Sequence, residues 1–136
     1  MDIKKRAEHE NCKAHICIES VHSIFGTSAG SNFTFGYVVG MIDTTVIAHS
    51  LPYSKVQPKI WQKEIWQEYE IEREPGKADK NGKMKPGKVL TKLTSLKAFT
   101  RLFPSVDLRG TERSKNQHDG LVDAILIAEY CRRQNH

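Results

Sequence analysis

Two short β-prone runs, each followed by a helical pattern, set the architecture open to this chain. His15-Ile16-Cys17-Ile18 is apolar and β-prone, so Ala14 to Ser20 reads as a buried strand. Gly26 to Ser31 (GTSAGS) is a small-residue loop, after which Phe33, Tyr37, Val38, Met41, Ile42 and Val46 recur at helical spacing through His49. Pro52 ends that pattern and Tyr53 to Gln57 is strand-like. Pro58, with Trp61 and Trp66, begins a helix that turns acidic towards its end. Strand, helix, strand and helix in this order predict an α/β fold with parallel strands flanked by helices. A chain of 136 residues, 38% of them hydrophobic, has material for one core and too little for two, so a single domain over 1–136 is expected.

Residues 1 to about 12 are charged and free of turn signals, consistent with the end of a helix. Thr94 to Phe103 reads as an amphipathic helix stopped by Pro104. Asp119 to Arg133 reads as a last helix, whose Arg132 and Arg133 suit its negative end. Gly36 and Gly40 lie four apart on the first long helix. Small residues at that spacing let another backbone approach closely, either a second subunit's helix or the chain's own sheet.

Pro75 to Lys88 (PGKADKNGKMKPGK) holds two prolines, three glycines and five lysines against one aspartate, a composition unable to bury a core. A flexible basic loop over about 75–90 is expected. Its ordinary reading is a solvated surface; the sharper one is a phosphate-contacting flap carrying Lys77, Lys80, Lys83, Lys85 and Lys88. The net charge of +5 points the same way, towards polyanionic partners.

Several classes drop out. No apolar run approaches the roughly 18 residues of a membrane span, and MDIKKRAEHE lacks the apolar stretch of a secretory signal, so a soluble cytoplasmic or intracellular protein without membrane contact is expected. Cys12, Cys17 and Cys131 are odd in number and lie in apolar surroundings, which suits buried thiols in a reducing compartment. A zinc site from Cys12, His15, Cys17 and His22 is disfavoured, since no C-x-x-C pair exists and strand alternation is expected to separate their faces. Phosphate-binding glycine motifs and the G-x-S-x-G elbow are absent from the sequence, leaving nucleotide hydrolysis, dinucleotide redox chemistry and serine hydrolysis without support.

The acids are more informative. Within Leu121 to Tyr130 (LVDAILIAEY) nearly every position except Asp123 is apolar, which predicts a helix buried on most sides that carries a carboxylate inward. Asp119, four residues earlier, shares that face one turn away, so the two charges repel unless a divalent cation or a basic partner intervenes. The bland reading has Asp119 as a helix cap and Asp123 paired with a lysine or arginine. Glu19 ends the first strand, where ligand sites of α/β sheets gather, although a strand-end glutamate facing solvent is also common. Together Glu19, Asp119 and Asp123 form an all-oxygen set suited to Mg²⁺ or Mn²⁺ and to phosphodiester chemistry.

The run ICIESVHSIFGTSAGSNFTFGYVVGMI, then PYSKVQPKIWQK, LFP and HDGLVDAILIAEYCRR, resembles the phage and organellar branch of RuvC-like Holliday-junction resolvases, the crossover junction endodeoxyribonucleases. The resemblance covers about 14–73 and 94–133. It implies a ribonuclease-H-like fold, a homodimer, two Mg²⁺ ions and paired nicks in branched DNA during recombination and repair. It assigns metal binding and catalysis to Glu19, Asp119 and Asp123, and DNA contact to the loop bearing Ser28 and Asn32. His22, Lys97 and Lys115 are further candidates for DNA contact, and His118 for proton transfer.

Resolvases of this kind begin with a strand carrying another aspartate ligand, and Asp2, in MDIKKR, does not match it. An N-terminally truncated domain is therefore expected, with a sheet too small for the usual fold and a missing segment that another chain could supply. Two other functions compete: a catalytically incomplete nucleic-acid-binding or interaction protein on this scaffold, and a ribonuclease-H-like nuclease on RNA–DNA hybrids.

Overall fold

Ile16, Cys17 and Ile18 have the side chains that favour extended backbone, and they find one partner strand. In the computed structural model, which describes residues 3–20, 28–111 and 113–134 with the Lys4 side chain excepted, Ile16–Glu19 forms β1 and Tyr53–Val56 forms β2. They pair in parallel, Ile16 opposite Tyr53 and Glu19 opposite Val56. The ladder is extended by Ile16 N–H donating to the Pro52 carbonyl (2.9 Å) and Ser20 N–H to that of Val56 (2.7 Å). Parallel strands need a crossover, and Ala29–Ala48 supplies it as α2. Ahead of β1, Ile3–His9 forms α1, and Asn11 at φ 50° turns the chain out of it. The α/β reading thus stands as a mixed fold with a two-stranded parallel sheet and helices.

α2 begins earlier than its apolar periodicity suggests, because the Ser28 hydroxyl accepts from Ser31 N–H (3.1 Å) and caps it. Within α2 only Val46 is buried, while Phe33, Tyr37 and Met41 are 78%, 62% and 55% exposed. A Cβ built at Gly36 or Gly40 would meet nothing within 4 Å among the described residues, so these glycines are not serving close packing on the chain's own sheet. Asp43 of α2 holds Lys55 of β2 (2.6 Å), and Ser50 at φ 48° reverses the chain before Pro52.

After β2, Pro58–Ile65 forms α3, followed by a single 3₁₀ turn at Glu68–Glu70. Thr91–Leu102 forms α4 and Asp119–Gln134 forms α5. α4 starts three residues before Thr94, whose hydroxyl donates to the Leu90 carbonyl (3.0 Å) and accepts from Glu72 N–H (3.1 Å). The chain divides into two compact units, Met1–Pro58 with Cys131–His136, and Lys59–Tyr130. In the first, Val46, Val56 and Cys131 are buried. In the second, the buried apolar side chains are Trp61, Ile65, Ala98, Phe99, Val122, Leu126 and Ile127, with Trp61 and Trp66 edge to face at 5.9 Å.

One ion pair braces the second unit. Arg101 of α4 donates through Nε to Glu70 Oε1 (2.6 Å) and through Nη2 to Glu70 Oε2 (3.2 Å) and the Ile65 carbonyl (2.9 Å). Gln67 N–H donates to Glu70 Oε2 (2.8 Å). Burial alone would raise the Glu70 carboxyl, but these bonds outweigh it and hold it below the usual glutamate range.

The segment expected as a loop is a hairpin. Lys77–Ala78 (β3) and Met84–Lys85 (β4) pair antiparallel, Lys77 opposite Lys85, above an Arg73–Val89 bridge. The Asp79 carboxylate organises the turn, accepting from Asn81 N–H (2.9 Å) and Lys83 N–H (3.0 Å), while Gly82 takes φ 76°. Composition correctly excludes a core here, but the turn needs none.

Candidate active site

α5 is capped by His118, not by Asp119: the His118 carbonyl accepts from Leu121 and Val122 N–H (both 3.0 Å), and its ring Nδ1 lies 3.4 Å from Leu121 N. That capping contact engages Nδ1 of the ring which the sequence offers for proton transfer. Asp119 is the first helical residue, and Asp123 follows on the next turn of the same face.

The expected repulsion is met by a basic partner absent from the sequence-based candidates. Lys92 of α4 places Nζ 2.6 Å from Asp119 Oδ2, with both side chains largely exposed. Asp119 is held below the usual aspartate range by that bond. Asp123 shifts the other way: burial raises its carboxyl, the neighbouring Asp119 charge adds to this, and a hydrogen bond from Ser95 opposes it. Among the described residues Asp123 Oδ1 is buried without a hydrogen-bond partner. Two carboxylates one turn apart thus have environments that push their proton affinities in opposite directions, a pattern common where acids do chemistry.

Both acids line a cavity of about 270 Å³ together with Lys92, Ser95, Asn116 and Gln117. The wall carrying Gln117 is pinned by its side chain, which accepts from Leu108 N–H, and by His118 N–H donating to the Leu108 carbonyl (3.2 Å). α5 is buried on one face only: Val122, Leu126 and Ile127 are inside, whereas Leu121 is 48% exposed and Ala124 and Ala128 face solvent. The expectation of burial on most sides is corrected, since hydrophobic residues all round a helix do not by themselves supply neighbours to cover it.

Glu19 closes β1 in the other unit, in register with Val56. Among the described residues no group of three or more His, Cys, Asp or Glu side chains is gathered as a metal would need. The pair itself suits Mg²⁺, which usually keeps several waters and takes only one or two carboxylates, and Asp123 Oδ1 is a buried acceptor without a donor among the described residues.

Ser28 is engaged as the cap of α2, and Asn32 lies in its first turn, donating its N–H to the Ser28 carbonyl (3.0 Å). The expected loop is therefore helical from Ala29; Gly26, like His22 and Asp2, lies outside the described residues. Lys115 is exposed, whereas Lys97 is tied to Glu72. His15 and Cys17, expected on separate faces, share one: His15 Nε2 lies 3.2 Å and Cys17 Sγ 3.6 Å from Ser54 Oγ. Residues two apart on extended backbone point the same way. Cys12 is exposed, not a buried thiol.

No protein-family model, no curated protein and no solved structure matches this chain. Among the described residues no helix is long and apolar enough to cross a membrane.

Proposed function

We propose that this chain is a metal-dependent endonuclease of the RuvC-like resolvase type, hydrolysing phosphodiester bonds in branched DNA on a ribonuclease-H-like scaffold. The observation that carries the reading is the Asp119–Asp123 pair in its cavity, with Asp123 Oδ1 buried and unpartnered among the described residues. Asp119 and Asp123 would hold Mg²⁺ or Mn²⁺, and the resemblance adds Glu19 and a second ion. Bound there, the cation supplies positive charge for the phosphodiester under attack.

The chain's own groups do the rest. The two carboxylates, one helix turn apart, would hold the cation, and Lys92, released from Asp119, would offer its ammonium to a phosphate oxygen. Val122, Leu93 and Leu96 form the apolar part of the cavity wall and limit water around the reacting bond. In the reaction, water adds to phosphorus, one P–O ester bond breaks, and the leaving oxygen takes a proton.

The deciding experiment is cleavage of a four-way DNA junction with Mg²⁺ or Mn²⁺, beside linear duplex and an RNA–DNA hybrid, with D123N as control. Paired nicks confined to the junction and lost in D123N support the reading; preference for the hybrid would redirect it to a ribonuclease-H-like activity. A second reading, a catalytically incomplete DNA-binding protein, is favoured by the absence of a gathered three-acid group among the described residues. Tight junction binding without cleavage would select it. The resemblance also implies a homodimer, which the exposed apolar side chains of α2 support and light scattering tests.

A further inference from the structure

The chain's excess of positive over negative charge is concentrated in one segment. Residues 73–88 carry six basic side chains against two acidic ones, so they account for +4 of the net +5, and the remaining 120 residues are close to neutral. The hairpin is therefore the segment with the largest share of the chain's net attraction for a polyanion.

The hairpin is built to hold its shape without a core. At its base Glu74 N–H donates to the Lys88 carbonyl (2.9 Å) and Leu90 N–H to that of Glu72 (2.8 Å). The strands approach so closely that a Cβ on Gly87 would lie 1.8 Å from the Glu74 carbonyl oxygen, and one on Gly76 2.8 Å from that of Lys85. One of the segment's two acids, Asp79, is committed to the turn, with its Oδ2 3.6 Å from Lys85 Nζ. Lys77, Lys80, Lys83 and Lys88 have no carboxylate within ion-pair distance among the described residues.

The register then sets Lys77 directly across from Lys85, an arrangement of like charges that weakens a sheet and that Asp79 relieves on the Lys85 side alone. Lys77, Lys85 and Lys88 line one cavity of about 220 Å³, shared with Glu74 and Asp79. We propose that the β3–β4 hairpin is a preformed grip for the phosphodiester backbone of DNA, acting apart from the carboxylate cavity and without base readout. The choice of DNA as the polyanion rests on the nuclease reading. Against an anionic membrane, Met84 is the one large apolar side chain the hairpin exposes, too little for the insertion that membrane-surface elements use.

The test is fluorescence anisotropy of the full chain on duplex and four-way-junction DNA in EDTA, over about 50 to 200 mM salt. The triple variant K77Q/K85Q/K88Q is expected to bind at least tenfold more weakly, with the slope of log K against log salt reduced by roughly 2 to 3, near 0.9 for each phosphate no longer neutralised. The charge-matched variant K5Q/K59Q/K63Q, altered at exposed lysines off the hairpin, is expected to stay within about twofold of the wild type. Equal weakening in the two variants, or an unchanged slope in the hairpin variant, overturns the grip; junction cleavage that persists in that case leaves the nuclease reading standing. D123N is expected to keep the slope while losing cleavage, so the two ideas fail separately. Wild-type protein that ignores DNA but binds phosphatidylserine vesicles overturns the grip as well.

Discussion

Replacing Arg101 with methionine removes three hydrogen bonds, two to Glu70 and one to the Ile65 carbonyl, while keeping most of the stem's packing. Glu70, whose side chain is 3% exposed, is left with the Gln67 N–H as its remaining donor. Breaking a buried pair from one side costs about 3 kcal/mol or somewhat more, because the surviving charge stays desolvated. With an unfolding entropy of roughly 2.1 cal/mol/K per residue, 136 residues translate about 3 kcal/mol into a fall in Tm of ~10 °C at pH 7. The pH dependence gives a sharper signature. In the wild type the Glu70 carboxyl lies below its unfolded value, so its contribution is present above the unfolded pKa and is lost as pH falls through the folded one. In R101M the burial remains without the arginine, the folded pKa rises above the unfolded value, and the penalty disappears on acidification. The gap in Tm between the two proteins should therefore shrink between about pH 5 and pH 3. Differential scanning calorimetry across that range is the assay, with E70Q/R101M expected to recover much of the loss. A loss under about 3 °C, or a gap independent of pH, refutes the reasoning.

Three further outcomes are expected. D123N should raise Tm in EDTA at pH 7, because it removes a carboxyl whose ionised form is disfavoured by burial and by the neighbouring Asp119 charge, and should abolish any Mg²⁺-induced rise; an unchanged Mg²⁺ shift would remove Asp123 from the site. G36A and G40A should each stabilise α2 by roughly 0.5–1 kcal/mol, as nothing lies within 4 Å of either Cβ; a fall in Tm accompanied by loss of dimer by light scattering would show a second backbone seated there. G87A should open the hairpin base, read as faster hydrogen exchange at the Glu74 and Leu90 amides, and unchanged exchange would show that the close approach to Glu74 relaxes without consequence.

Element order was legible because period and breakers carry it: the apolar run at Ile16–Ile18, Pro52, Pro58 and Pro104 bracket what the backbone does. The Asp119–Asp123 pair was legible for the same reason, four residues being one helical turn. Lys92 was not, since it meets Asp119 across 27 positions of chain and nothing local marks that contact. The hairpin escaped notice because its stability resides in the Asp79 side chain and a backbone approach at Gly87, neither visible to composition. One-sided burial of α5 was hidden too: Leu121 and Leu126 are the same residue, and only the fold decides which one finds neighbours.

α2 is moored at one end. Its buried residue is Val46 and its cross-element ion pair is Asp43–Lys55, both in the C-terminal half, whereas Phe33 and Tyr37 are exposed and, among the described residues, belong to turns with no fully buried side chain. A helical segment of two or three turns without tertiary support is marginal in water, so protection against exchange should decline from Val46 back towards Ala29. The helix is then a gradient of order, firm where it joins the sheet and increasingly dependent, towards its capped start, on whatever comes to cover it.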